Sequence, residues 1–236
     1  YHMLLGKPKS LVMDRADLGP GFSHSEVKEF LDSHNIVYKE LSEKELIKVV
    51  AKLIWENNVV GWVQGRMEFG ERALGNRSIL ANPCNAEMKD ILNLKVKHRE
   101  QFRPFAPVVT YADARKFFDV DVEVPFMSFV YPVKESKRKM LPAVTHVDGS
   151  GRLQTIRREA NSRYYDLIKE FEKLSKVPIL VNTSFNIRGE PIVMTPEHAY
   201  RCFTGTGIDY LTIDNFLIKR EDNKKDLWDS ESLAKD

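Results

Sequence analysis

The chain has 236 residues, of which 42% are hydrophobic and 30% charged, with 12 glycines and 11 prolines, a composition that excludes wholesale disorder and fibrous or low-complexity classes. Thirty-six lysines and arginines against 34 acids leave a net charge of +2, too balanced for a general nucleic-acid binder. The apolar stretch Val177–Val181 is far short of the ~20 residues of a membrane span, and Cys84 and Cys202 stand apart without metal-ligand spacing, so a cytoplasmic protein with no membrane segment is expected.

Tyr1-His2-Met3 has the pattern of a cloning remnant, and residues 1–17 are expected to be that remnant and a linker. Ser23 and Ser25 precede an amphipathic helix bearing Val27, Phe30 and Leu31, and Ile36–Tyr38 predicts a strand. Ser42 with Glu45 forms a capping-box pattern, followed by Leu46, Val49, Val50, Leu53 and Ile54 at helical spacing. Val59–Gln64 reads as a buried strand. Helices are then expected at Ala86–Val96 and Tyr111–Phe118, extended chain at Phe126–Val133, and strands at Ala143–His146 and Leu153–Ile156. A helix from Tyr164 to Leu174 leads to an apolar strand, Pro178–Val181. Thr195 with Pro196 opens a helix to Phe203, and Tyr210–Ile213 is the last expected strand. The charged stretch 219–236 predicts a solvated tail. The alternation predicts an α/β (α+β) layered fold with a mixed sheet.

Four segments carry cations where a ligand could meet them. The loop Gly65–Ser78 holds three glycines and three arginines, Arg66, Arg72 and Arg77, whose planar forks suit phosphate or carboxylate; neither a Walker nor a GxGxxG cradle is present. In Lys95–Pro107, Lys97 and Arg99 stand two apart, so an extended backbone would turn both toward one oligophosphate. Asn182–Pro191 follows an apolar strand, where ligands of open α/β sheets bind, and its short polar side chains and Arg188 suit a phosphate. Arg152 follows His146 and Asp148, which read more simply as a turn than as a metal or acid/base pair. Taken singly, each segment also fits an ordinary connector or a solvated basic surface.

Together the segments GRMEFGERALGNRSILANP, KHREQFRPFAP, PAVTHVDGSGRLQT and LVNTSFNIRGEPIV resemble the C-terminal domain of the NodU/CmcH-type O-carbamoyltransferases, over a stretch from about Leu18 to Lys219. That domain is YrdC-like, and the KxR and SxN signatures of the YrdC group are similar to Lys97-His98-Arg99 and Ser184-Phe185-Asn186 here. Glu71 stands where the family pattern has proline.

The resemblance implies a YrdC-like domain over 18–218, with a twisted mixed sheet and flanking helices around a deep basic cavity. It implies that ATP and carbamoyl phosphate are converted to carbamoyl adenylate, phosphate and pyrophosphate. Transfer to an acceptor hydroxyl then falls to an N-terminal domain of the sugar-kinase and actin superfold. Lys97, Arg152 and Arg188 are the expected catalytic residues, and Arg72, Arg99, Arg103, Asn182, Ser184 and Asn186 are expected to hold the substrates. No resident metal is expected, and Mg²⁺ would enter with ATP. Lys97→Ala and Arg188→Ala are expected to leave folding nearly intact. Two rivals remain open: a basic-cavity RNA-binding module, and a threonylcarbamoyl-adenylate synthase.

Overall fold

A computed structural model describes residues 2–8, 13 and 15–223. After a single turn, α1 (His2–Leu5), come α2 (His24–Ser33), β1 (Lys39–Glu40), α3 (Glu43–Trp55), β2 (Val60–Val63) and β3 (Arg77–Ala81). Next are α4 (Met88–Ile91), a π-helical turn (Leu92–Lys97), β4 (Ala106–Thr110), α5 (Tyr111–Phe117), β5 (Val130–Pro132), α6 (Glu135–Arg138), β6 (Ser150–Arg152) and β7 (Gln154–Ile156). The chain continues through α7 (Ser162–Ser175), β8 (Ile179–Ser184), α8 (Pro196–Thr204), β9 (Tyr210–Ile213) and β10 (Phe216–Lys219).

Helix starts follow from side chains that satisfy the first free N–H groups. Ser23 and Ser42 form reciprocal capping boxes with Glu26 and Glu45. Asn161 and Thr195 cap α7 and α8. Eight strands build one mixed sheet in the order β1-β10-β9-β2-β3-β8-β4-β7, with β5 and β6 as a separate ribbon. The β2–β9 and β4–β7 pairs are parallel and the other pairs of the large sheet antiparallel.

Side chains alternate across the sheet. Val60, Trp62, Leu80, Val108 and Leu180 meet Leu46, Val50 and Ile54 of α3 and Leu167, Ile168 and Phe171 of α7. The opposite face carries Val63, Ile79 and Val181, covered by Leu31 of α2, Leu92 and Val96 of the α4 segment and Ala199 and Phe203 of α8. One glycine is required by this packing. Gly75 has φ +115°, and a Cβ there would lie 2.2 Å from Tyr164 Cδ1; its carbonyl accepts the buried Trp62 Nε1–H at 2.9 Å.

Several expectations shift. Ile36–Tyr38 is not a strand, because Ile36 N donates to Leu31 O and closes α2, so pairing begins only at Lys39. Ala143–His146 is a turn rather than a strand: Thr145 N donates to Leu141 O and His146 N to Ser150 O. The helix expected at Ala86–Val96 starts at Met88 and widens into the π-turn. Strands β3, β4, β6 and β10 were not anticipated. Lys219 ends β10, and Asn223 Nδ2 donates to Val37 O, so the folded part reaches beyond the expected start of the tail; residues 224–236 lie outside the described residues. At the other end Ala16 is buried and its carbonyl accepts from Phe69 N, which ties part of the expected linker to the Gly65–Ser78 loop.

A buried carboxylate joins the sheet to its helices. Asp113 accepts from Thr110 Oγ1 at 2.6 Å, Lys116 Nζ at 2.6 Å and Lys169 Nζ at 3.1 Å. Burial alone would raise its pKa, but these donors outweigh it and hold the carboxyl at about 2. A folded pKa below the unfolded value of ~3.9 gives stability that is complete above that value and is lost as pH falls through the folded one. Asp113→Asn is therefore expected to lower stability by about 1–3 kcal/mol near neutral pH. In paired thermal melts, the gap from the parent should narrow as pH is lowered from about 5 towards 2.

Candidate functional site

The exit of β8, the Gly65–Ser78 loop, β6 and the segment after the π-turn meet at one small cavity of about 80 Å³, lined by Arg72, Arg99, Arg152, Asn182, Thr183 and Ser184 among others. Arg152 stands on β6, which is held to β5 by the Val130–Arg152 pair. Its Nε is buried without a protein partner. Burial, with the neighbouring Arg72, depresses its pKa, and Arg99 is depressed by burial together with Arg103 and Arg152. Arg99 is fixed by Nε donation to Asn93 Oδ1 at 2.8 Å and by stacking on Phe105, 4.8 Å from the ring centre. Glu71 takes a defined place at the cavity: its carboxylate pairs with Arg72 at 3.1 Å. Three guanidinium groups against one carboxylate leave a cationic pocket suited to phosphoryl or carboxylate oxygens.

Lys97 plays a different part. It is 4% exposed, and its ammonium donates to Ser184 O, to Asn186 O and Asn186 Oδ1, both at 2.9 Å, and weakly to Ser184 Oγ at 3.4 Å. Lys97 and Arg99 do not share an extended strand. The π-turn ends at Lys97 and His98 is left-handed, with φ 46°, so the lysine turns beneath the strand exit while the arginine lines the cavity. Burial pushes the Lys97 pKa down to about 7, and the surrounding oxygens favour the protonated form.

Asn186 is held from both sides: its Oδ1 also accepts from Ser184 Oγ at 2.7 Å, and its Nδ2 donates to Glu190 O at 2.7 Å. Both residues of the SxN signature therefore take part in the lysine junction, and Ser184 also lines the cavity. Arg103 and Arg188 are not among the lining residues. They converge on Glu100, at 3.0 and 3.7 Å, with about half of each side chain exposed.

The other loop arginines are structural. Arg77 is fully buried and donates to the carbonyls of Gln64, Asn76 and Met194, among others. Arg66 donates to Leu18 O and Gly19 O. Sequence reasoning passed over Gln154 and Glu68. Gln154 accepts from Asn182 Nδ2 at 2.7 Å, and Glu68 Oε1 receives Leu74 N and Asn76 N, both at 2.7 Å. The E-x5-L-x-N spacing of Glu68, Leu74 and Asn76 is the signal that could have marked the second. His146 Nδ1 lies 3.2 Å from Ser150 Oγ, which donates to Asp148 at 2.6 Å; the cluster pins the turn before β6. A larger cavity, about 350 Å³, is lined by Leu74, Asn76, Gln154 and Asn161 among others, and on its lining Arg15 pairs with Asp17 and Arg157 with Glu123.

Removing the Lys97 amine would take a donor from three buried oxygens, of which Ser184 O keeps Asn186 N and Asn186 Oδ1 keeps Ser184 Oγ while Asn186 O loses its charged partner, a loss that costs free energy in a buried place. Lys97→Ala is thus expected to destabilise the fold by roughly 2–4 kcal/mol, in contrast to the small effect expected from sequence. Arg188→Ala, at an exposed pair, should change stability by less than about 1 kcal/mol. Chemical denaturation of the two variants measures both.

The fold and cavity can be set beside known proteins. In solved structures, full-length HypF in a phosphate- and nucleotide-bound form aligns over 78% of this chain and 22% of its own, with TM-score 0.51 and 18% identity. The Sua5 protein of P. abyssi, complexed with L-threonine, aligns over 75% of this chain and 48% of its own, with TM-score 0.53 and 17% identity. The fold is thus YrdC-like, as expected. Nodulation protein NolNO of Sinorhizobium fredii is 50% identical over 78% of this chain and 28% of its own length. NolO of Bradyrhizobium diazoefficiens is 49% identical over 72% and 32%, and nodulation protein U of S. fredii is 39% identical over 74% and 30%. The chain spans about a third of the length of these relatives. The family model described as the carbamoyltransferase C-terminus matches residues 51–220, and the chain belongs to that family.

Proposed function

We propose that this chain is the adenylating part of a carbamoyltransferase, binding ATP and carbamoyl phosphate and forming carbamoyl adenylate. The observation that carries the reading is the convergence of Arg72, Arg99 and Arg152 on one cavity at the exit of β8, in a chain of carbamoyltransferase family. Both substrates are polyanions, and charge gathers on the phosphoryl groups in the transition state, so preorganised guanidinium donors in a partly buried site are the main catalytic requirement. The cavity volume suits a phosphoryl or carbamoyl group, and the nucleoside would lie across its open side.

Water first cleaves carbamoyl phosphate to carbamate and inorganic phosphate. A carbamate oxygen then attacks the α-phosphorus of ATP and pyrophosphate departs, leaving the carbamoyl–AMP anhydride. Carbamate is itself the nucleophile, so no side-chain nucleophile is required. Arg152, with its unpartnered Nε, is the residue assigned to the developing phosphoryl charge. Arg72 and Arg99 orient the anions, Lys97 holds the strand exit on which Ser184 stands, and Arg103 and Arg188, paired with Glu100, are further cations assigned to the substrates. Mg²⁺ comes as the ATP complex, held by phosphate oxygens and water. The acceptor site is assigned to the additional length that the relatives carry, as an N-terminal sugar-kinase/actin-like domain, which would receive the reactive anhydride shielded from water.

The test is incubation with ATP, Mg²⁺ and carbamoyl phosphate while AMP and pyrophosphate are followed. Both should form without any hydroxyl acceptor, and threonine with bicarbonate should not replace carbamoyl phosphate. Arg152→Gln should lower the rate by about 10²–10³-fold with a nearly unchanged melting temperature. Parent rates in this variant, or carbamoylation of an acceptor by this chain alone, would contradict the assignment.

A further inference from the structure

Asn182 lines the cationic cavity, where sequence reasoning expected it to donate to phosphate. Both hydrogens of its Nδ2 are engaged elsewhere: one is donated to Ala73 O at 3.1 Å and the other to Gln154 Oε1 at 2.7 Å. Gln154 Nε2 in turn donates to Leu74 O at 2.9 Å.

The direction of this relay is fixed at its ends. Backbone carbonyls only accept, so an amide that faces one must present its NH₂ group. Turning Gln154 over would set Oε1 against Leu74 O. Turning Asn182 over would set Oδ1 against both Ala73 O and Gln154 Oε1. The atom left over is Asn182 Oδ1, buried and without a protein partner. It belongs to a residue that lines a cavity otherwise furnished with guanidinium donors, and as an acceptor it would repel a phosphate oxygen. Its ligand has to carry an N–H or O–H donor next to the anionic group that the arginines hold.

We infer that Asn182 Oδ1 is a specificity element that accepts an N–H of the substrate's carbamoyl amide, and that Gln154 is the positioning residue that keeps this oxygen turned toward the substrate. The inference rests on the carbamoyl phosphate reading given above and adds the means by which an acyl phosphate of the same shape is refused. Acetyl phosphate has a methyl group where carbamoyl phosphate has NH₂, so it would leave the buried oxygen unpaired, and sites built around a buried hydrogen-bonding group discriminate strongly against analogues that lack the partner.

The experiment is calorimetric titration of this chain with carbamoyl phosphate, acetyl phosphate and inorganic phosphate. Carbamoyl phosphate should bind at least about tenfold more tightly than acetyl phosphate. In Gln154→Met, which keeps the bulk and releases the Asn182 amide, the ratio of the two affinities should fall towards one, whereas loss of general structure would weaken both ligands together and leave their ratio intact. Asn182→Ser provides a second variant that removes the acceptor, should Gln154→Met fail to fold. Equal binding of the two acyl phosphates by the parent chain, or a ratio preserved in the folded variants, overturns the role of Asn182 while leaving the anion site standing. Absence of binding by all three compounds overturns the carbamoyl phosphate reading and this inference with it.

Discussion

The candidate site depends on how the chain leaves β8. Ser184 O, Asn186 O and Asn186 Oδ1 gather at one buried spot, where Asn186 N and Ser184 Oγ supply one donor each and the Lys97 ammonium completes the set. An ammonium carries three donors and no acceptor, which makes it the side chain best matched to such a cluster. The junction also explains the π-turn. Widening the helix at Leu92–Lys97 and reversing the backbone at His98 allows adjacent parts of a KxR motif to serve opposite ends of the site: the lysine anchors the floor and the arginine furnishes the wall.

The arginines divide by what surrounds them. Arg77 and Arg66 face backbone carbonyls, which use several guanidinium hydrogens and fasten the Gly65–Ser78 loop to the sheet and to Leu18 and Gly19. Arg72, Arg99 and Arg152 face one another across the cavity. A loop that presents one of its arginines has to be fixed by the others, and Glu68 adds to this by collecting backbone N–H groups on the opposite side of the turn. Preorganisation of the cavity is therefore a property of the whole loop.

The helices were the most legible part of the sequence. Capping residues located the starts of α2, α3 and α8, and helical periodicity alone marked α7, because the cap and the apolar stripe are local features. Strands β3 and β4 lack the alternation of a half-exposed strand because all their residues are buried, and unlike the equally buried β2 they open on Arg77-Ser78 and Ala106-Pro107 rather than on an apolar run. In β3 the first of those buried residues is Arg77, which reads as a loop cation until its carbonyl partners are known. The motifs likewise marked residues that the fold brings together without revealing the contacts each one makes. Lys97 and Asn186 belong to a buried junction at the exit of β8, and the Asn182 amide is spent on Ala73 O and Gln154 Oε1, because each role is set by hydrogen bonds to residues distant in the chain.

The arginine cavity also links binding to stability. Burial and the neighbouring arginines depress Arg99, beside Arg103 and Arg152, and Arg152, beside Arg72, so the charged forms are held there at an energetic cost. An anion placed between them turns repulsion into attraction and completes the donors that burial has deprived of water. A ligand that binds only the folded state raises stability with its concentration, and here the gain should be felt first in β6 and the Gly65–Ser78 loop, the segments that hold Arg152 and Arg72 in place.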